Sequence, residues 1–146
     1  EKDVVAFVMP NAMETAVTLL AGAVAGIINP INPLMEPEKI SSILRETNAR
    51  VVVTLEAFPK TDLPQKVAQA VRFAPNVKTV LEVDLCGYLT GLKKVIVPWL
   101  RPKNPISHTA TVKDFHAEMA RMPADALTFN DSQHDRVAAY FHTGGT

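Results

Sequence analysis

Apolar residues in this chain form short continuous runs that alternate with segments of helical spacing. Three runs rich in β-branched residues predict buried strands, at 4–9, 51–55 and 77–83. Apolar positions three or four apart predict helices between them, at 11–25, 37–47 and 64–73. Residues 27–33 predict a short extended segment that prolines interrupt. The alternation predicts an α/β fold, in which a parallel sheet carries layers of helices on both faces.

Residues with characteristic terminal roles mark where these helices begin and end. Asn11 is predicted as the N-cap of the first helix, with Glu14 three residues later completing a capping-box-like pair. Pro37 suits the first position of the second helix, and Asn48 suits a left-handed position after its end. Asp62 is a candidate cap for the third helix.

The stretch 86–134 breaks the alternation and is predicted as an excursion with helices between two core strands. Its segment 89–101 has helical spacing, which favours a helix packed on the domain surface; an interfacial or partner-binding helix is the alternative. Thr111 and Asp114 are predicted to cap a further helix that runs as far as Met122.

The chain ends in a hydroxyl- and glycine-rich turn that directly follows an apolar run. Residues 137–141 predict a further buried strand, and His142-Thr143-Gly144-Gly145-Thr146 follow it. Successive glycines let backbone N–H groups converge on one point and form a nest for an anion, and threonine hydroxyls add donors. Phosphate oxygens are the obvious ligand, whereas a plain connection between elements is the alternative for these five residues alone.

The composition is that of an ordinary globular protein. Hydrophobic residues make up 47% and charged residues 21% of the 146 residues. Fifteen basic and fifteen acidic side chains leave no formal net charge, so neither nucleic acid nor an anionic membrane surface is expected as a partner. The single cysteine, Cys86, excludes an internal disulfide and predicts a reducing, cytoplasmic location.

Most sequence signatures of chemistry are absent from the chain. There is no dinucleotide-binding G-x-G-x-x-G, no Walker-type phosphate loop and no G-x-S-x-G nucleophile elbow. The four histidines are scattered and Cys86 has no partner at metal-ligand spacing, so no catalytic residue and no metal site are assigned. The apolar stretch 16–28 is too short for a membrane span, and Gly22 with Gly26 predicts close helix packing there.

Two separate blocks resemble the AMP-forming adenylate enzymes, the superfamily of acyl-CoA synthetases, amino-acid adenylation domains and luciferases. Phe141-His142-Thr143-Gly144-Gly145-Thr146 resembles the start of the superfamily's phosphate loop, with Gly144 where serine is commoner. The N-terminal block resembles its opening strand, helix and Pro-x-Asn-Pro in four stretches, at 3–11, 21–33, 36–38 and 48–54. The resemblance implies a partial N-terminal, AMP-binding domain over 1–146, composed of a βα core (1–85), the excursion (86–134) and a core strand with the start of the phosphate loop (135–146).

This resemblance also implies chemistry. Members activate a carboxylic acid with ATP as an acyl-adenylate, releasing pyrophosphate, and the acyl-CoA synthetases then transfer the acyl group to CoA. Thr143, Gly144, Gly145 and Thr146 would bind the ATP phosphates, with Mg²⁺ sharing the neutralisation of charge. The loop's lysine and the adenine, metal and acyl-pocket residues would lie downstream, so the chain alone is expected to be inactive.

An acyl-CoA synthetase of the kind used in fatty acid metabolism is the leading interpretation, and its acid substrate is not assigned. An amino-acid or aryl-acid adenylation domain is one alternative, and a non-enzymatic, flavodoxin-like α/β binding module is another. The chain opens without methionine and stops inside a glycine-rich turn, so we expect an internal piece, truncated at both ends. Surfaces normally covered by the missing parts are expected to favour self-association.

Overall fold

The computed structural model describes residues 3–59, 61–100, 106–125 and 135–142, and these form an α/β fold on a parallel sheet. The strands are Val4–Val8 (β1), Ile27–Ile31 (β2), Ala49–Leu55 (β3), Thr79–Val83 (β4) and Thr111–Asp114 (β5). They pair in parallel in the order β2-β1-β3-β4-β5. The helices are Met13–Ala25 (α1), Pro37–Glu46 (α2), Leu63–Arg72 (α3), Leu92–Trp99 (α4) and Phe115–Ala120 (α5), and a 3-10 turn at Leu85–Tyr88 precedes α4. The predicted fold class is confirmed.

Helices α2 and α3 cover one face of the sheet and contact each other. Both have a single apolar side, which is the pattern of a surface helix over a core. Their buried apolar residues are Ile40, Ile43 and Leu44 in α2 and Leu63, Val67, Ala68, Ala70 and Val71 in α3. They pack with the central strands, whose apolar runs were the basis for predicting a buried sheet.

Helices α1 and α5 lie on the other face, where both border the side chains of Val5, Val53 and Leu81. Gly22 in α1 and Gly26 directly after it allow a close approach, as predicted, although to a strand and to Asp3 rather than to another helix. A Cβ on Gly22 would meet Ile28 of β2, and one on Gly26 would meet the backbone oxygen of Asp3. In the described part of the chain, no helix is long and apolar enough to cross a membrane.

The predicted helix ends are partly confirmed. Pro37 is the first residue of α2, and Asn48 after its end is left-handed with φ of 52°. Asp62 is the N-cap of α3, but its side chain makes no capping hydrogen bond. The prediction for Asn11 was wrong, because the N-cap of α1 is Ala12 and no side chain caps it. Glu14 is consequently free for distant partners.

The excursion contains a strand that the sequence pattern did not predict. Thr111 begins β5 and does not cap a helix, so that prediction was wrong. The strand was not predicted because it is an exposed edge strand without an apolar run. Asp114 is a cap as predicted, since its Oδ1 accepts a hydrogen bond of 2.5 Å from the Ala117 amide. The helix it begins ends at Ala120, before Met122.

Helix α4 forms where the spacing predicted a helix, but the apolar side chains at its two ends are exposed. Leu92 is 77% exposed and Trp99 is 89% exposed. The expectation of a helix packed on the domain surface was therefore wrong for these side chains.

Candidate functional site

Residues 135–142, here called the edge segment, extend the sheet beyond β2. Ala139 forms a parallel bridge with Ile28, through hydrogen bonds of 2.9 Å from the Ile28 amide to the Ala138 carbonyl and 2.8 Å from the Tyr140 amide to the Ile28 carbonyl. The predicted final strand is thus present as one bridge. Its predicted burial was wrong, because Val137 and Phe141 are exposed at the margin of the sheet.

Arg136 anchors the start of the edge segment to the end of α1. Its guanidinium donates hydrogen bonds to the carbonyl oxygens of Ala23, Val24 and Gly26, at 2.6, 3.1 and 2.8 Å. These carbonyls lie at the helix C-terminus, where they lack helical partners and where a positive charge is favourable. The edge segment therefore enters the sheet at a fixed point.

Pro30 explains why the pairing with β2 is so short. The amide and carbonyl of Ile28 point toward the edge segment, so the next backbone nitrogen on that side belongs to Pro30. Proline has no N–H to donate, so the ladder cannot continue through this position. The chain is released from the sheet after Tyr140, immediately before the predicted phosphate loop.

A cavity of about 350 Å³ lies beside the released chain, and it is lined by Glu46, Thr47, Tyr140, Phe141 and His142. The Nε2 atom of His142 is 3.9 Å from a carboxylate oxygen of Glu46. The predicted ATP-binding residues, Thr143, Gly144, Gly145 and Thr146, follow directly and lie outside the described residues. Their phosphate-binding role stays a prediction.

A second group of polar side chains, here called the Glu14 cluster, consists of Glu14, Tyr88 and His116. Glu14 in the first turn of α1 is only 5% exposed. Its Oε1 accepts hydrogen bonds from the Tyr88 hydroxyl at 2.9 Å and from His116 Nε2 at 3.0 Å. One buried carboxylate therefore joins α1, the 3-10 turn and α5.

The electrostatics of the Glu14 cluster favour an ionised carboxylate. Burial would raise the pKa of Glu14, but hydrogen bonds from its own backbone amide, His116 and Tyr88 outweigh burial and lower that pKa. The hydrogen bond between Tyr88 and Glu14 raises the pKa of Tyr88, because an ionised phenol could no longer donate to the carboxylate. The Glu14 carboxylate is therefore ionised at neutral pH.

An open cavity of about 460 Å³ borders the Glu14 cluster and includes Asp84, Gly87 and Asp114 in its wall. Both aspartates accept hydrogen bonds from backbone amides: Asp84 from the Cys86 amide at 2.7 Å, and Asp114 from the Ala117 amide as the cap of α5. Among the described residues, no group of three or more His, Cys, Asp or Glu side chains could hold a metal ion. The cluster therefore has the features of a structural junction.

Sequence reasoning did not find the Glu14 cluster. Glu14 was assigned to a capping pair, and His116 was treated as one of four scattered histidines. The partners of Glu14 stand 74 and 102 positions further along the chain, so no local spacing could have brought them together. Glu118 points elsewhere and pairs with Lys113 and Arg121 at 3.0 and 2.6 Å.

Comparison with known proteins defines the class of protein to which this chain belongs. The profile of the AMP-binding enzyme family matches residues 1–146. The chain therefore belongs to the AMP-binding enzyme family.

Individual relatives are CoA ligases. Marinolic acid–CoA ligase of Pseudoalteromonas sp. (strain SANK 73390) is 27% identical over 143 residues, which are 97% of this chain and 18% of that protein. Long-chain-fatty-acid–CoA ligase of Bacillus subtilis (strain 168) is 28% identical over 154 aligned positions, covering 99% of this chain and 26% of that protein. The chain thus spans about a fifth to a quarter of the length of these relatives.

A solved structure supports the fold. A mutant form of coronafacic acid ligase from Pectobacterium brasiliense superposes with a TM-score of 0.68 at 13% identity. The match covers 98% of this chain and 24% of that one. At this identity, the likeness concerns the fold alone.

Proposed function

We propose that this chain forms part of the ATP-binding domain of an AMP-forming acid–CoA ligase. The observation that carries the proposal is the path of the edge segment, which runs parallel to β2 and is released from it at Pro30. Ligands of open α/β sheets bind beyond the carboxyl ends of the strands. The edge segment runs parallel to β2 and is described as far as His142. We therefore propose that the next four residues in the sequence, Thr143–Thr146, contact the ATP phosphates beyond these carboxyl ends through their backbone and hydroxyl groups.

The proposed reaction follows from the family and from the relatives' names. A substrate carboxylate attacks the α-phosphorus of ATP, pyrophosphate leaves, and the acyl-adenylate forms. The thiol of CoA then attacks the acyl carbon and AMP leaves. Donors from Thr143, Gly144, Gly145 and Thr146 would stabilise the charge that develops on the departing pyrophosphate. Mg²⁺ would accompany the phosphates, held by groups outside the described residues.

The CoA branch is favoured over amino-acid or aryl-acid adenylation because both curated relatives are CoA ligases. A flavodoxin-like binding module has the same strand order as this sheet, so the fold alone does not separate the two. The family match over 1–146 favours the enzyme. Cys86 is buried and is the single cysteine of the sequence, which supports a reducing, cytoplasmic location for this proposed enzyme of acyl or fatty acid activation.

The experiment is ATP–pyrophosphate exchange with a panel of fatty, aryl and short-chain acids. The protein produced from the complete reading frame containing these residues should catalyse acid-dependent exchange and release AMP when CoA is added. The 146-residue chain should catalyse none, because it lacks the remainder of the ATP site. Exchange by the short chain would contradict its proposed inactivity. Formation of ADP, or no turnover with any acid, would contradict the proposed ligase.

A further inference from the structure

Helix α4 and the residue after it expose a continuous apolar side to solvent. The positions four, seven and eight residues after Leu92 share one side of a helix with it, and each carries a large apolar side chain. The exposed fractions are 77% for Leu92, 46% for Ile96, 89% for Trp99 and 63% for Leu100. These four residues, here called the α4 surface, therefore have no covering layer in the part of the chain that the structure describes.

The sequence around α4 has a local excess of positive charge. No acidic residue stands between Asp84 and Asp114. Four of the fifteen basic residues of the chain lie within 93–103, namely Lys93, Lys94, Arg101 and Lys103. The chain as a whole is neutral only because acidic residues predominate elsewhere. Its zero net charge therefore does not exclude an anionic partner for this segment.

We propose that the α4 surface binds the interfacial region of an anionic lipid membrane. Tryptophan is enriched at membrane–water interfaces, and helices that combine tryptophan and leucine with lysine are typical of segments that lie in the interface plane. Helix α4 has eight residues, too few to span a bilayer, so it would lie along the surface.

Protein partners explain the same segment less well. The cores of protein interfaces are depleted of charged residues, and of lysine in particular, whereas lysine is frequent around α4. A second copy of the chain would bring two positively charged segments together, and like charges oppose association. A membrane with acidic headgroups is the partner that satisfies both the apolar side chains and the charge.

Trp99 supplies a direct probe, because it is the single tryptophan of the sequence and is exposed. The test is its fluorescence in the 146-residue chain during titration with vesicles. With mixed phosphatidylcholine and phosphatidylglycerol, the emission should shift to shorter wavelength as the indole leaves water. With phosphatidylcholine alone, binding should be at least about 25-fold weaker, since each basic residue near an anionic surface adds about fivefold. No shift with the anionic vesicles, or equal binding to both lipids, would overturn the proposal.

One pair of variants tests the apolar contact. Leu92→Ser should weaken vesicle binding about tenfold, because it removes a large apolar side chain from the α4 surface. Leu34→Ser is the matched control, since Leu34 is 82% exposed outside α4, and it should bind as the wild type does. Neither should shift the urea midpoint. Equal binding by the two variants would overturn the proposal.

A second pair tests the charge. Lys93→Gln/Lys94→Gln should weaken binding about 25-fold, from about fivefold for each lysine. Lys39→Gln/Lys78→Gln removes two exposed positive charges, one on α2 and one directly before β4, and should change binding little because distant charges are screened. Equal losses in the two double variants would show that the attraction does not come from the α4 segment.

The product of the complete reading frame distinguishes a membrane from a covering layer of protein. It should sediment with the anionic vesicles, and Leu92→Ser should reduce the sedimented fraction. Failure to sediment would overturn the proposal by assigning the α4 surface to protein contacts, and so would sedimentation that Leu92→Ser leaves unchanged. These assays use no ATP or acid, so their failure is distinguishable from failure of the proposed ligase.

Discussion

The edge segment and the Glu14 cluster show two ways of holding polar groups on one sheet. The cluster ties three elements through a buried carboxylate and short hydrogen bonds. The edge segment is held by Arg136 and a single bridge, and it is freed from the ladder at Pro30. Groups that must adjust to a ligand are drawn from weakly held backbone, whereas dense networks stabilise structure. The Glu14 cluster is therefore a structural junction, and the edge segment leads to the proposed site.

The largest effect is expected at Asn29 of β2, the strand that supports the edge segment. Asn29 is fully buried, and its Nδ2 donates to the Thr47 hydroxyl at 3.2 Å. Asn29→Asp would bury a charge without a compensating cation, so urea unfolding should show a loss of about 3–5 kcal/mol. Asn32→Asp is the matched control, because Asn32 is exposed and its Oδ1 accepts a hydrogen bond from the Leu34 amide. If Asn29→Asp and Asn32→Asp lose equal stability, the buried interior of β2 does not provide rigid support for the edge segment.

The next effect is expected from breaking the Glu14 cluster. Glu14→Ala leaves the Tyr88 hydroxyl and His116 without their shared acceptor, and we expect a loss of about 1–3 kcal/mol in urea unfolding. Glu38→Ala, in the exposed first turn of α2, is the control and should cost less than about 0.5 kcal/mol. If the two variants lose equally, the cluster is not a junction.

Acid titration should separate the buried cluster from a surface pair. The folded pKa of Glu14 is lowered, so its contribution is present above the unfolded pKa and is lost as pH falls through the folded pKa. The stability difference between wild type and Glu14→Gln should therefore be full at pH 7 and vanish in acid. The stability contributed by the surface ion pairs of Glu118 with Lys113 and Arg121 should fall at pH 7 in high salt. The stability contributed by Glu14 should not change with salt. A salt-sensitive Glu14 contribution would place that carboxylate in solvent.

The smallest effect is expected at Glu82 on β4. Burial and the charge of Glu56 raise the pKa of Glu82, so ionised Glu82 opposes folding at neutral pH. The stability that comes from its raised pKa is present below the unfolded pKa and is lost as pH rises through the folded pKa. Glu82→Gln should raise the melting temperature by about 1–3 °C at pH 7 and by less near pH 4. A gain that is independent of pH would contradict this assignment.

The local spacing of apolar residues predicted the strands and helices that are buried through their own apolar side chains. The apolar runs of β1, β3 and β4 and the spacing in α2 and α3 sufficed, as did Pro37 and Asn48 at the helix ends. Strand β5 was missed because its side chains are exposed. The segment 27–33 was predicted as extended but not as a core strand, because a proline such as Pro30 is tolerated in a strand only where its nitrogen faces away from the pairing partner, here β1.

The candidate site was only partly accessible to sequence reasoning. The motif at Thr143–Thr146 marked the proposed loop, but Arg136 and Pro30, which hold and release the segment before it, carry no motif. The Glu14 cluster depends on contacts across more than seventy residues, which become visible only in the folded chain.

The most direct measurement is ATP–pyrophosphate exchange by two variants of the product of the complete reading frame. Thr143→Ala/Thr146→Ala removes two proposed phosphate donors, and exchange should fall roughly 100-fold or more while the melting temperature stays unchanged. Glu14→Gln should lower the melting temperature and leave exchange unchanged. If the threonine variant exchanges at the wild-type rate, or if Glu14→Gln abolishes exchange in the folded protein, the site does not lie at the end of the edge segment.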